Sequence, residues 1–218
     1  MVLVLSRRFF IGSCLAVLSS GASAQRALAS GPWRRTTPGP TPAAAAANGD
    51  VAPSLLKRAL EALERHRDDI AHRDFIGVAD FSLPSRIARF HLVSLADGSV
   101  RSHLVAHGRG SDPAHTGWLE RFSNEPRSNA TSAGAYRTGS LYVGAHGHSI
   151  HLDGLDSTNS NAASRAIVVH GAWYVSEVMI DRSGMLGRSQ GCLAVANSSL
   201  GEIISTLGPG RLIYADRV

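Results

Sequence analysis

Between residues 54 and 72 the apolar side chains fall at Leu55, Leu56, Ala59, Leu60, Leu63 and Ile70. Steps of three and four place most of them on one side of an α-helix, so the spacing predicts an amphipathic helix over 54–72 with Ser54 at its N-cap. Beyond it the texture changes to short β-type runs over 75–81, 88–95, 100–106, 140–144, 149–152, 166–170 and 211–214, broken by turn residues. Ala96-Asp97-Gly98 suits a hairpin turn between the second and third runs. Two long polar stretches, GRGSDPAHTG at 108–117 and FSNEPRSNATSAGAYRTG at 122–139, read as loops of the kind that carries function. A short helix is expected over 198–207, stopped by Gly208-Pro209-Gly210. Many short strands, one or two short helices and an N-terminal amphipathic helix predict a mainly β fold, a sandwich or barrel.

The first quarter of the chain does not share this patterning. Arg7 and Arg8 precede an apolar stretch from Phe9 to Leu18, and small residues follow up to Ala22-Ser23-Ala24. That is the layout of an export signal ending in an A-x-A cleavage site, and Ser6-Arg7-Arg8-Phe9-Phe10-Ile11 resembles the twin-arginine type. Residues 25–53 are rich in Pro, Ala, Thr and Gly, a composition that cannot bury enough surface to fold and reads as a linker. The expected organisation is therefore a leader over 1–24, a linker over 25–53 and one folded domain over 54–218. Its expected location is the periplasm.

Charge narrows the choice of partner. The formal net charge is +5, or +3 once Arg7 and Arg8 leave with the leader, and Lys57 is the sole lysine. The arginines are scattered rather than striped, which disfavours nucleic acid as a partner. No apolar run of spanning length follows the N-terminus, so the mature chain is expected to have no membrane span.

Candidate chemistry centres on one thiol. Cleavage after Ala24 removes Cys14 and leaves Cys192 unpaired in an oxidising compartment, where a leftover cysteine is intermolecular, inert or a nucleophile. A nucleophilic cysteine needs a base, and His170, at the end of the apolar run AIVVH, is the best placed. Gly191 allows a tight turn before Cys192, so that the amides of both residues point at one oxyanion. Arg188, two residues before Gln190, is a candidate carboxylate clamp for a peptide terminus. His146, His148 and His151, with Asp153 nearby, invite a metal reading, but strand alternation puts His151 on the opposite face from the other two, so no metal or cofactor is expected.

The ordered set VADFSLPSRIARFHLVSLADG, AHGRGSD, FSN, AIVVHGAWYVSE and GRSQGC, spanning Phe75 to Asp216, resembles the murein L,D-transpeptidase catalytic domain family, of the YkuD-type fold. The resemblance implies Cys192 as the acylated nucleophile and His170 as the general base. It also implies the Gly171 carbonyl as the group that holds the base's second nitrogen. Ser189 and Gly191 match the flanks of the nucleophile loop, and Gln190 stands where the commoner family pattern S-H-G-C has a histidine. The implied reaction cleaves the bond between the diamino acid and D-Ala of a peptidoglycan stem tetrapeptide and passes the acyl group to an amine. That amine belongs to a second stem, a D-amino acid or a wall-anchored protein. Transfer to water (an L,D-carboxypeptidase), a zinc peptidase built on His146, and a non-catalytic wall-binding module are the alternatives.

Overall fold

The computed structural model describes residues 51–218, so the expected leader and nearly all of the linker lie outside the described residues. Helix α1 runs Pro53–Arg65 and turns Leu55, Ala59, Ala62 and Leu63 inward. Nine strands follow: β1 Phe75–Asp80, β2 Phe90–Ser94, β3 Val100–His103, β4 Val105–Ala106, β5 Gly134–Gly144, β6 Gly147–Gly154, β7 Val168–Ala172, β8 Leu193–Ala196 and β9 Leu212–Asp216. Helix α2, Glu177–Ser183, lies between β7 and β8, and α3, Asn197–Thr206, follows β8 directly. The expected mainly β architecture is the one observed.

The strand order is β3-β2-β1-β9-β5-β6-β7-β8-β4. Its two edges, β3 and β4, are separated in the chain by Leu104 alone, so the sheet has to roll until its edges meet. The single strand expected over 100–106 thus breaks at Leu104, where the chain leaves its partner β2 on one edge and joins β8 on the other. Inside the roll, Phe90, Leu92, Tyr136, Ile150, Val169, Leu193 and Ile213 pack with Ile203 and Leu207 at the α3 end. On the outside, the apolar side of α1 covers Ile76, Val78, Val93, Ala135 and Leu212. Strand β1 is therefore buried on both faces, which is why its sequence is apolar without alternation.

Helix α1 is shorter than the spacing predicts. Pro53 occupies its first turn, where a missing N–H costs nothing, and Ser54 lies inside the helix rather than at its cap. The chain turns at His66, whose ring bonds Asp156 Oδ1 at 2.9 Å, and Ile70 reaches the core through that turn. Strand β5 begins six residues before expectation, inside the polar stretch, because residues 134–137 pair with β9 while 136–144 pair with β6, with a register shift between Thr138 and Leu141. Strand β8 and helix α2 have no sequence signal to match them. LAVA is four residues long without alternation, and α2 has seven residues and buries none of them.

A polar cluster is buried beside the seam of the roll. Arg89 is fully buried and donates from Nε and Nη2 to Val105 O, each at 3.1 Å. Its Nη2 also lies 2.8 Å from His107 Nδ1. A guanidinium only donates, so Nδ1 accepts and the proton of neutral His107 sits on Nε2, facing Asp112 Oδ2 at 3.4 Å. Asp112 in turn accepts from the amides of Thr116 and Gly117, both at 2.8 Å. Burial, followed by the charge of Arg89, pushes the His107 pKa down to about 4.

This sets a direction for acid sensitivity. Folded His107 stays neutral down to about pH 4, whereas an unfolded histidine takes up its proton near pH 6.5. Acid therefore favours the unfolded chain across that window, and stability falls as pH drops. His107→Gln keeps an acceptor for Arg89 and a donor for Asp112 but cannot titrate. Urea midpoints measured from pH 7 to pH 4.5 should fall less steeply for His107→Gln than for the parent, and equal slopes would refute the assignment.

Candidate active site

Strands β7 and β8 run parallel, with Val169 opposite Leu193 and His170 opposite Ala194. Val169, Leu193 and Val195 point into the roll, so the alternate positions, His170 and Ala194 among them, face outward. Continuing the register one residue back places Cys192 opposite Val168, on the same outward face as His170 and diagonal to it. Cys192 is half-buried at the mouth of this pair of strands, with Sγ 3.6 Å from Ala166 O. His170 has Ala194 on one side and Ser149 on the other, and these small neighbours leave room for an imidazole in the middle of a sheet. The outer face beyond them is closed by Ala106, Ala172, Val175 and Leu186.

His170 Nδ1 lies 2.9 Å from Gly171 O. A carbonyl only accepts, so Nδ1 carries the proton and Nε2 is left with its lone pair free to take one. The ring of His146, in the turn between β5 and β6, stacks on that of His170 at 4.4 Å between centroids. Burial holds the His170 pKa below its ordinary value, the Gly171 bond opposes this, and His146 adds to the lowering. For Cys192, burial raises the thiol pKa, while the Val168 amide and the Arg165 guanidinium pull it back. Both shifts favour the uncharged pair, so the resting site holds a thiol beside a neutral imidazole rather than a standing thiolate–imidazolium pair.

The loop before Cys192 is braced from several directions. Ser189 Oγ donates to Cys192 O at 2.7 Å and accepts from the Gly191 amide at 3.1 Å. The Gly191 amide, expected from sequence to face an oxyanion, is thus engaged inside the loop. Ser189 N donates to His107 O at 3.0 Å, and Arg109 N donates to Ser189 O at 2.8 Å, so the AHGRGSD segment forms the wall on which the nucleophile loop rests. Thr131 Oγ1 reaches Gly191 O at 3.2 Å. Gly191 has φ +119°, and a Cβ there would stand 2.9 Å from Ala130 O. A glycine is required at this position.

Arg188 does not stand free beside the thiol. Its Nη1 donates to the carbonyls of Asp112 and Pro113, the second at 3.1 Å, which ties the 108–117 loop to the nucleophile loop. Gln190 is exposed and lines a groove of ≈ 610 Å³ with Pro126, Arg127, Asn129, Ser164 and Arg165. Arg165 was not anticipated from sequence. Its surroundings in the chain, SNAASRA, resemble any polar loop, and no local pattern marks it. The three histidines at 146, 148 and 151 are not gathered. His146 stacks on His170 and His151 on Tyr142, at 4.2 Å between centroids, and no group of three or more metal-ligating side chains is found among the described residues.

The sequence profile of the L,D-transpeptidase catalytic domain matches residues 47–215. No curated protein matches the chain. Among solved structures, an L,D-transpeptidase from Mycobacterium smegmatis is 15% identical over 66% of this chain and 58% of its own, with a TM-score of 0.39. An L,D-transpeptidase from Xylanimonas cellulosilytica is 15% identical over 72% of this chain and 68% of its own, with a TM-score of 0.41. The helical cell shape determining protein Pgp2 from Campylobacter jejuni is 13% identical over 77% of this chain and 57% of its own, with a TM-score of 0.43. The chain therefore spans less than three-fifths of the first and third of these proteins.

The stacked histidines make a testable pair. His146→Phe preserves a ring against His170 and its burial, the main cause of its lowered pKa, but removes the smaller contribution of the second imidazole. The His170 titration, followed through its ring protons by NMR, should move to higher pH in His146→Phe. A midpoint that stays put or moves lower would mean that the His146 charge has no bearing on the base.

Proposed function

The chain belongs to the L,D-transpeptidase catalytic domain family, and on that premise we propose that it is a peptidoglycan L,D-transpeptidase with Cys192 as nucleophile and His170 as general base. The observation that carries this reading is the tautomer imposed at His170, with Nδ1–H held by Gly171 O and Nε2 bare on the face shared with Cys192. The fixed carbonyl takes the orienting role that an acid plays in other triads.

In the proposed reaction Cys192 Sγ attacks the carbonyl carbon of the amide between the third-position diamino acid and D-Ala of a stem tetrapeptide. His170 Nε2 takes the thiol proton as the C–S bond forms, because the resting pair is uncharged. The tetrahedral oxyanion falls beside the Cys192 amide, and the Arg165 charge opposes the negative charge building up there. His170 then protonates the departing D-Ala amine, and the acyl group remains on sulfur as a thioester. An acceptor amine attacks the thioester, gives its proton to His170 and regenerates the thiol. The leader resembling a twin-arginine signal supports a periplasmic setting for this chemistry.

Four measurements test the reading. Incubation of the purified chain with disaccharide-tetrapeptide should give a Cys192 adduct lacking D-Ala by intact mass, and none in Cys192→Ala. A carbapenem should acylate the same sulfur, since its strained carbonyl meets the same thiol and amide. Before substrate binds, iodoacetamide should label Cys192 more slowly than a free cysteine at pH 7, because burial keeps the thiol protonated. Absence of both adducts after long incubation would sink the proposal. Replacing His170 with Gln should lower acylation by roughly 10²- to 10⁴-fold, the range of general acid–base assistance.

A further inference from the structure

The groove beside the nucleophile is lined by two arginines, Arg127 and Arg165, by the amides of Asn129 and Gln190, by Ser164 and by Pro126, with no carboxylate among them. Arg165 is held by neutral oxygens only. It donates to Ser123 O at 2.8 Å, to Ser132 Oγ at 2.7 Å, to Ser128 Oγ at 3.1 Å and to Ala130 O. These contacts fix its position without cancelling its charge, and the acid that acts on it, Glu125, does so from outside the lining. Arg127 is exposed, and no ion pair engages it among the described residues. It sits at φ +63°, with Asn129 at φ +54°, so this loop keeps two non-glycine residues in left-handed backbone to stand over the groove.

The groove adjoins the loop that carries Cys192, since Gln190 lines it. Arg165 precedes Ala166, whose carbonyl lies 3.6 Å from Cys192 Sγ, and a Cβ on Gly191 would stand 3.2 Å from Arg165 Nη2. The exposed Arg127 guanidinium can fork onto a planar anion and Arg165, whose Nη protons are taken, adds its charge and Nε–H, while the Asn129 and Gln190 amides suit the C=O and N–H of a peptide bond. Arg188, the clamp suggested by sequence, turns Nη1 to the Asp112 and Pro113 carbonyls and does not line the groove.

We propose that Arg127 and Arg165 form a subsite for a free carboxylate of the stem peptide and make the enzyme select stems that carry it. This rests on the transpeptidase reading for the identity of the peptide but not for the binding itself. The carboxylate comes from one of two places on the donor, the terminal D-Ala or the side-chain centre of the diamino acid, and converting each in turn to a carboxamide separates them.

Calorimetry on the full-length Cys192→Ala chain tests this with disaccharide-tetrapeptide in three forms: unmodified, D-Ala carboxamide and diamino acid carboxamide. One carboxamide should bind on the order of 10- to 100-fold more weakly than the unmodified form, the span expected for a charge-assisted pair. Arg127→Gln in the same chain should abolish that preference, and Arg127→Lys should restore part of it. Added salt should weaken the unmodified form most. Equal affinity for all three forms, no binding of any, or an Arg127→Gln chain that keeps the preference would overturn the subsite. Because this chain lacks the nucleophile, failure of the parent protein to form a thioester would defeat the transferase reading alone.

Discussion

The rolled sheet depends on one short piece of chain that has to satisfy two edges at once. Residues 100–103 pair with β2 and residues 105–106 with β8, so the strip turns from one edge to the other at Leu104. Such a seam leaves backbone carbonyls inside the protein without sheet partners, and a buried carbonyl without a donor is costly. Arg89 fills that need by donating twice to Val105 O, and its Nη2 then needs a further acceptor, which His107 Nδ1 provides while Asp112 takes the far side of the His107 ring. The closure of the sheet and the buried polar cluster form one arrangement.

The loop before Cys192 is built on that seam. His107 O receives Ser189 N, Ser189 O receives Arg109 N, and Arg188 ties the neighbouring loop to the same place. Cys192 is thus positioned from one side by the seam and from the other by the parallel pairing of β7 with β8. His170 is placed by the sheet, in a row where Ser149 and Ala194 are small enough to admit it, and by the His146 ring stacked on it. Strands fix such positions more tightly than loops do, which suits a proton transfer between atoms that must approach within hydrogen-bond reach. Burial shifts both groups toward their uncharged forms, lowering the His170 pKa and raising that of the Cys192 thiol.

Much of this was legible in the chain and some of it was not. The helix before the sheet was readable because Leu55, Leu56, Ala59, Leu60 and Leu63 repeat at helical spacing, although its end at Arg65 was set by the distant contact of His66 with Asp156. The early half of β5 was hidden in a polar stretch, since Ala135 and Arg137 find their partners in β9, seventy-odd residues away. The split of 100–106 was hidden for the same reason. Arg188 and Arg165 could not be told apart by sequence. Each is an arginine in a polar loop that the fold holds by backbone carbonyls, and only the fold put one of them, Arg165, on the lining of a groove.

Taken by itself, the sequence determined the residue types and their local periods. It carries one cysteine beyond the leader-like segment, an imidazole on an apolar strand, a glycine before the thiol, and alternations that predict a β-rich domain. These follow from properties of a few consecutive residues, which neighbours along the chain suffice to express. The tertiary structure alone decided the tautomer of His170, the engagement of the Gly191 amide, the neutral resting state of the pair and the assignment of charges to groove or brace. Each of these depends on which polar group meets which across long sequence separations. Burial then multiplies the consequence, because in a low-dielectric interior every donor and charge has to be answered by a specific partner.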